Sequence, residues 1–381
     1  MKTLTKVILW VVLSAFPCSV FSQKAETVHS FARVLKDLDW YKEQARLWKN
    51  EIDNKTTNAE AWVNFYKANR AIERYFGIDP GKQQEEYLVP MAQIVEKAEK
   101  AIPHTFELNF IKSEDRFYDE EGIACLLQAQ KMRPYDPLLI PSLMTYYAIN
   151  NDKKNIRVVS QKWYDSNEMA IEFLATGYNM LMSLDDNAII LVYGDNDTYP
   201  IWILQNVLNV RTDVTAVNMM MAQIDKYRQW FFKENSIPEF TVNENEMKTV
   251  PALIHHVVRN VKTRPVYISP FADKNIYAGF SDKLYMTGLA LKYSEKAFDN
   301  IAVLKNNIEN KFLLDFLKIT LQNSISESLI AKMNLGYVAP FLRLYEHYRL
   351  SNETVKMKNI KSMAQTISEK AGVPEWMQYF E

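Results

Sequence analysis

One short stretch of this chain carries side chains in a pattern fit for chemistry. Gly194-Asp-Asn-Asp-Thr-Tyr-Pro200 directly follows the apolar run Ala188-Ile-Ile-Leu-Val-Tyr193. Asp195 and Asp197 are two carboxylates one residue apart, with Asn196 and Thr198 as further oxygen donors. That set suits a hard divalent cation, Mg²⁺, Mn²⁺ or Ca²⁺. Zinc is a poorer match, because no His or Cys lies nearby in the sequence. The same residues also describe a helix N-terminus: Thr198 or Asp197 as cap, Pro200 in the first turn, and acids favoured by the helix dipole. Both readings stand on the sequence alone. Asn218 and Ser269 end two later β-type runs, and Asp225 opens the following helical region. These three complete the candidate ligand-binding residues.

Other reactive residue types are isolated. His255 and His256 are adjacent on a helix, so they point about 100° apart and cannot chelate one metal together. Cys125 lies in Gly122-Ile-Ala-Cys-Leu-Leu127, an apolar helical run, and reads as a buried structural thiol. No Gly-x-Ser-x-Gly elbow is present. The 9 glycines include no Gly-x-Gly pair and no Gly-x4-Gly-Lys-Ser/Thr loop, which argues against the Gly-rich nucleotide sites. Catalytic residues therefore stay unassigned.

The acidic loop needs an element to hold it. Residues 188–193 read as a buried central strand, a short continuous apolar run with β-branched side chains. Residues 213–218 and 265–269 read as two more strands, and 285–293 as a further strand with Gly288 at a bulge. Helical patterns over 201–208, 223–234 and 250–261 alternate with them. This alternation predicts a small, mainly parallel α/β sheet domain over residues 186–295. The acidic loop then sits outside the carboxyl end of a strand, where open α/β sheets bind ligands.

Residues 23–185 read as a helical-hairpin, tetratricopeptide-like array. Ala45, Trp48 and Ile52 hold a helical stripe, Asp136-Pro137 is a helix-start signal, and 169–184 reads as a buried helix. Asn58-Ala-Glu-Ala-Trp62 and Arg133-Pro-Tyr-Asp-Pro137 look like tetratricopeptide boundaries, without a regular 34-residue period. Such an array presents a concave face to a protein or peptide partner, or packs on the domain beside it. Residues 296–381 read as C-terminal helical hairpins. The predicted fold class is thus α/β plus all-α.

At the start, Lys2 and Lys6 precede the apolar run 7–16 and Pro17, the plan of a secretory signal peptide over residues 1–22. The run is shorter than the roughly 20 residues a bilayer needs. A retained N-terminal anchor is the alternative. The mature chain would have no transmembrane span and an exported, periplasmic or otherwise extracytoplasmic location. Its single cysteine allows no internal disulfide. With 45 basic and 46 acidic residues, the whole chain carries net charge −1, and no electrostatic argument for nucleic acid arises.

The stretch from Ala188 to Trp202, then Val210-Arg-Thr-Asp-Val214 and Val217-Asn218, carries a resemblance. Arg264-Pro-Val-Tyr267, Gly279-Phe-Ser-Asp-Lys-Leu284 and Gly288-Leu-Ala290 continue it in the same order. Residues 187–294 resemble the soluble C-terminal region of multi-span protein O-mannosyltransferase-like membrane proteins of Bacteroidota. In that family the glycosyl transfer is attributed to the membrane part, which this chain lacks. The resemblance implies an exported α/β module beside helical repeats, and it does not carry transferase activity over.

The expected function is an exported binding or scaffold protein, working beside envelope or glycan machinery, with a protein or peptide partner on its helical repeats and a glycan as a further ligand. The alternative is a metal-dependent enzyme acting on a glycan, lipid-linked sugar or phosphoester through Asp195 and Asp197.

Overall fold

The computed structural model describes residues 24–117, 119–239, 249–318 and 324–381. The predicted signal segment, 1–22, lies outside them.

The N-terminal region is built of capped helices. In α1 (Leu38–Asn54) the Asp37 side chain accepts the Trp40 amide at 2.7 Å, and in α2 (Ala59–Arg70) Asn58 accepts from Ala61. Each such cap satisfies an amide that the first helical turn leaves unpaired, worth about 1 kcal/mol. Tyr41, Ala45, Trp48 and Ile52 of α1 are buried in one core with Trp62, Phe65 and Tyr66 of α2. A π-helical turn, Ala71–Tyr75, continues α2. This wide turn is rare and concentrates at functional sites. Helices α3 (Met91–Ala101), α4 (Phe106–Asp115), α5 (Glu120–Met132), α6 (Ile140–Ile149), α7 (Lys153–Asp165) and α8 (Ile171–Met182) follow. Asp136-Pro137 does not start α6. Asp136 accepts from Leu138 in a turn, and the helix begins at Ile140 with Pro141 in its first turn. The chain ahead of α1 folds back on these helices: Val28 N–H donates to Asn64 Oδ1 at 2.8 Å, and Trp48 Nε1 donates to Glu26 O at 2.8 Å.

The sheet has five strands in the order β2-β1-β3-β5-β4: β1 (Ile189–Val192), β2 (Thr215–Asn218), β3 (Val266–Ile268), β4 (Leu284–Met286) and β5 (Leu291–Tyr293). It is mixed. β1 runs parallel to both β2 and β3, with Ile190 opposite Ala216 on one side and Tyr267 on the other, and β5 pairs antiparallel with β3 and β4. All four β1 residues are buried, as strands covered on both faces require. The expected single bulged strand over 285–293 is instead the β4–β5 hairpin. Gly288 sits in its turn at φ +146°, and a Cβ there would lie 2.4 Å from Ser183 Oγ. Only glycine fits both the dihedral and the space.

Helix α9 (Asp195–Val207) links β1 to β2, while α10 (Asp225–Glu234) and α11 (Val250–Asn260) precede β3 on the other side of β1. β1 is therefore the strand from which the connections diverge, and its carboxyl end opens a crevice. Two arginines tie the opposite edge. Arg211 donates to the carbonyls of Leu181, Leu184 and Asp185, and Arg264 to those of Asn187 and Ala188. Helices α12 (Asn300–Asn310), α13 (Glu327–Asn334), α14 (Val338–Leu350) and α15 (Thr354–Lys370) close the chain. One hydrophobic core runs from Val28 to Phe380.

Candidate functional site

Helix α9 starts at Asp195, four residues earlier than a Thr198 cap would place it, with Gly194 as its N-cap. Pro200 consequently lies inside the helix. Gly177 of α8 accommodates its ring, since a Cβ at Gly177 would stand 3.1 Å from Pro200 Cβ. Asp197 turns back on its own helix start. Its Oδ1 accepts Gly194 N–H at 2.7 Å and its Oδ2 accepts Tyr193 N–H at 3.0 Å. It is 2% exposed. Burial raises its carboxyl above the usual range, and hydrogen bonds from Ser269 and the two amides pull it back. Thr198, fully buried, donates to Gly194 O at 2.6 Å and accepts from Asn218 Nδ2 at 2.9 Å. Asn218 Oδ1 accepts Met221 N–H. Four of the candidate residues, Asp197, Thr198, Asn218 and Ser269, thus form one saturated network that fixes the carboxyl ends of β1, β2 and β3.

Asp225 is elsewhere: it opens α10 and pairs with Arg228 at 2.6 Å. Asn196 lies half-buried on the cavity wall beside Asp195. Asp195 faces the other way from Asp197 and has no hydrogen-bond partner among the described residues. Water in a cavity reaches it, yet protein surrounds it on its remaining sides and removes it from bulk solvent. That desolvation, with the nearby charges of Asp197 and Glu114, pushes its carboxyl up to about 6 against the pull of Arg70.

The two carboxylates do not act as a pair. Asp197 spends both oxygens on amides, leaving Asp195 as the one free carboxylate of the pair. Among the described residues no group of three His, Cys, Asp or Glu side chains is placed to hold a metal ion.

A large cavity lies above this elbow. It measures about 960 Å³ and lies between the inner face of the helical array and the carboxyl edge of the sheet. Its floor is the Tyr193–Asp197 elbow. The array wall carries Tyr66, Lys67, Arg70 and Arg74 from α2 and its π turn, with Glu114 of α4. Trp163 of α7 and Phe31 and Arg33 of the leading segment add to it, and Phe271 and Lys332 complete the far side. Tyr199 of α9 holds the two walls together, with its hydroxyl 2.7 Å from Thr145 Oγ1 and its ring 5.0 Å from that of Trp163.

None of the α2 residues on this wall emerged from the sequence as a site candidate. The available signal was the 67-70-74 spacing, which puts three cations on one helical face directly after an aromatic run. A second hollow of about 300 Å³ lies between Ser183–Asp185 and α12. Its buried amide, Asn307 Nδ2, is already donated to Thr287 O at 2.7 Å. Cys125 is half-buried and its thiol is raised by desolvation, so it is a poor nucleophile. His255 rests edge-on against Phe280, away from the cavity.

A family model described as TMEM260-associated domain 2 matches residues 173–239. The matched segment runs from α8 through β1, the elbow, α9 and β2 to just past α10. It fits the O-mannosyltransferase-like resemblance loosely, TMEM260 being a candidate enzyme of that class. No curated protein and no solved structure matches the chain. Among the described residues no helix is long and apolar enough to cross a membrane.

Proposed function

We propose that this protein is an exported binding protein whose ligand, a glycan or glycan fragment, occupies the cavity between the helical array and the sheet. The observation that carries this reading is the cavity itself. About 960 Å³ falls within the range of small-ligand sites, and its walls mix aromatic rings with a few convergent polar groups. Phe31, Trp163 and Tyr193 offer flat apolar faces, and Asp195 and Asn196 offer acceptors for sugar hydroxyls. The array's inner face is directed at the sheet edge, which favours a small ligand or chain end over a broad protein surface. The signal-like start and the family match support work beside envelope or glycan machinery, and a protein partner would use the outer faces of the repeats.

The enzymatic alternative retains one supporting observation, the unpartnered Asp195 carboxyl held near 6. Thermal shift of the full mature chain with neutral mono- to tetrasaccharides tests the binding reading. A saccharide should raise Tm, and Trp163→Ala should weaken its binding at least fivefold. If no saccharide of the panel shifts Tm, the glycan reading falls. Mg²⁺, Mn²⁺ and Ca²⁺ in the same assay test the alternative: equal response of the parent and Asp195→Asn removes it.

A further inference from the structure

We propose that the ligand of this cavity carries an oxyanion, a carboxylate or phosphoryl group, and that the α2 face receives it through Lys67, Arg70 and the Tyr66 hydroxyl. The inference rests on the cavity being a binding site and adds the chemical class of what it binds.

Three polar groups on this wall lack partners. Tyr66 is fully buried and lines the cavity, and its hydroxyl has no hydrogen-bond partner. A buried phenol left in that state costs stability unless something outside the chain completes it. Arg70 Nε is likewise buried and unpartnered. The Arg70 guanidinium reaches Glu114 at a long 3.7 Å, and Glu114 already accepts the Ser142 hydroxyl at 2.6 Å. Lys67 has no carboxylate within 4 Å among the described residues, and its ammonium lies 5.4 Å from the Phe110 ring centroid. Lys67, Arg70 and Arg74 share one helical face, and Glu114 is the acid that interacts with both Lys67 and Arg70, so one carboxylate faces two cations.

Desolvation, then crowding by Arg33 and Arg70, brings the Lys67 amine down to about 8. Glu114 and Asp136 only partly oppose this. An incoming oxyanion would relieve that repulsion and accept from the ammonium, the guanidinium fork and the phenol together. Asp195 on the floor repels the same charge, so the ligand enters oriented: anion to α2, hydroxyl-bearing end to the elbow.

Calorimetry on the full mature chain decides this, using glucose, glucuronate, glucose 6-phosphate, acetate and inorganic phosphate. The charged sugars should bind at least tenfold tighter than glucose. Lys67→Met and Arg70→Gln should each remove that preference while leaving glucose binding intact. Lys67→Arg should keep it, and Tyr66→Phe should reduce it about fivefold without lowering Tm. Carboxylate and phosphoryl are separated by which charged sugar wins. Glucose binding as well as both charged sugars overturns the oxyanion and leaves the glycan reading standing. Acetate or phosphate binding in a Lys67-dependent way, with no sugar bound, supports the oxyanion and removes the glycan. A charged preference that survives Lys67→Met and Arg70→Gln overturns the assignment to α2.

Discussion

The two walls of the cavity differ in how their polar groups are satisfied. On the sheet wall, Asp197, Thr198, Asn218 and Ser269 are engaged with one another or with backbone amides. On the array wall, Tyr66 and Arg70 keep buried polar atoms without partners, and Lys67 keeps an unpaired charge. Asp195 belongs with the second group although it is two residues from Asp197. Saturated groups hold a fold in place and have little left for a ligand. Unsatisfied groups cost the fold and are retained where something else completes them.

That contrast breaks first at Asp197. Asp197→Ala would leave the Tyr193 and Gly194 amides and the Ser269 hydroxyl without their acceptor. The expected loss is about 3 kcal/mol in urea unfolding. A loss under about 1 kcal/mol would mean that the sheet wall is not the structural one. Thr198→Val removes the bond to Gly194 O and orphans Asn218 Nδ2, for about 1–2 kcal/mol in the same measurement.

Substitutions on the unsatisfied side should run the other way. The Asp195 carboxyl is up at about 6 in the fold, against about 4 in the unfolded chain. Between those values the folded state holds a proton that the unfolded state has released, so stability falls as pH rises through that window. Asp195→Asn should therefore raise Tm by about 1–3 °C at pH 7, with the gain vanishing near pH 4. For Lys67 the signs reverse. Its amine is down near 8 in the fold and near 10.4 when unfolded, so stability rises with pH between the two. Lys67→Met should raise Tm by a similar amount at pH 7 and lose that advantage by pH 10.5. Calorimetric melts across pH check both, and a drop in Tm at pH 7 would place either residue among the structural groups.

The smallest expected effect sharpens the comparison within one residue type. Tyr227 is fully buried and its hydroxyl accepts the Asn218 N–H at 3.1 Å, so Tyr227→Phe should cost about 1 kcal/mol. Tyr66→Phe removes a hydroxyl that bonds nothing in the chain and should cost nothing or stabilise the ligand-free protein by up to about 1 kcal/mol. Equal costs for the two would dissolve the distinction.

Much of the framework was legible along the chain. The run 188–193 is continuous in apolar and β-branched residues, and it forms the interior strand β1. The stripe of Ala45, Trp48 and Ile52 went to the core. Such patterns are local and periodic, so burial on one face follows from spacing alone. The elbow after β1 was legible only in part. Its acids belong to a helix start, but a capping carboxylate and a cavity-facing one have the same letter, and which is which depends on a rotation of about 200° around the helix from 195 to 197.

What the sequence by itself determined is therefore most of the elements, their order and the strand end at which polar residues gather. Only the tertiary structure decided that α2, some 120 residues earlier, stands across from that strand end and supplies the cations. No local pattern encodes that meeting, because it results from packing the array's α7 and α8 against α9, and from many side chains acting at once. The chemistry of this cavity is a property of two walls, and each wall alone reads as an ordinary helix.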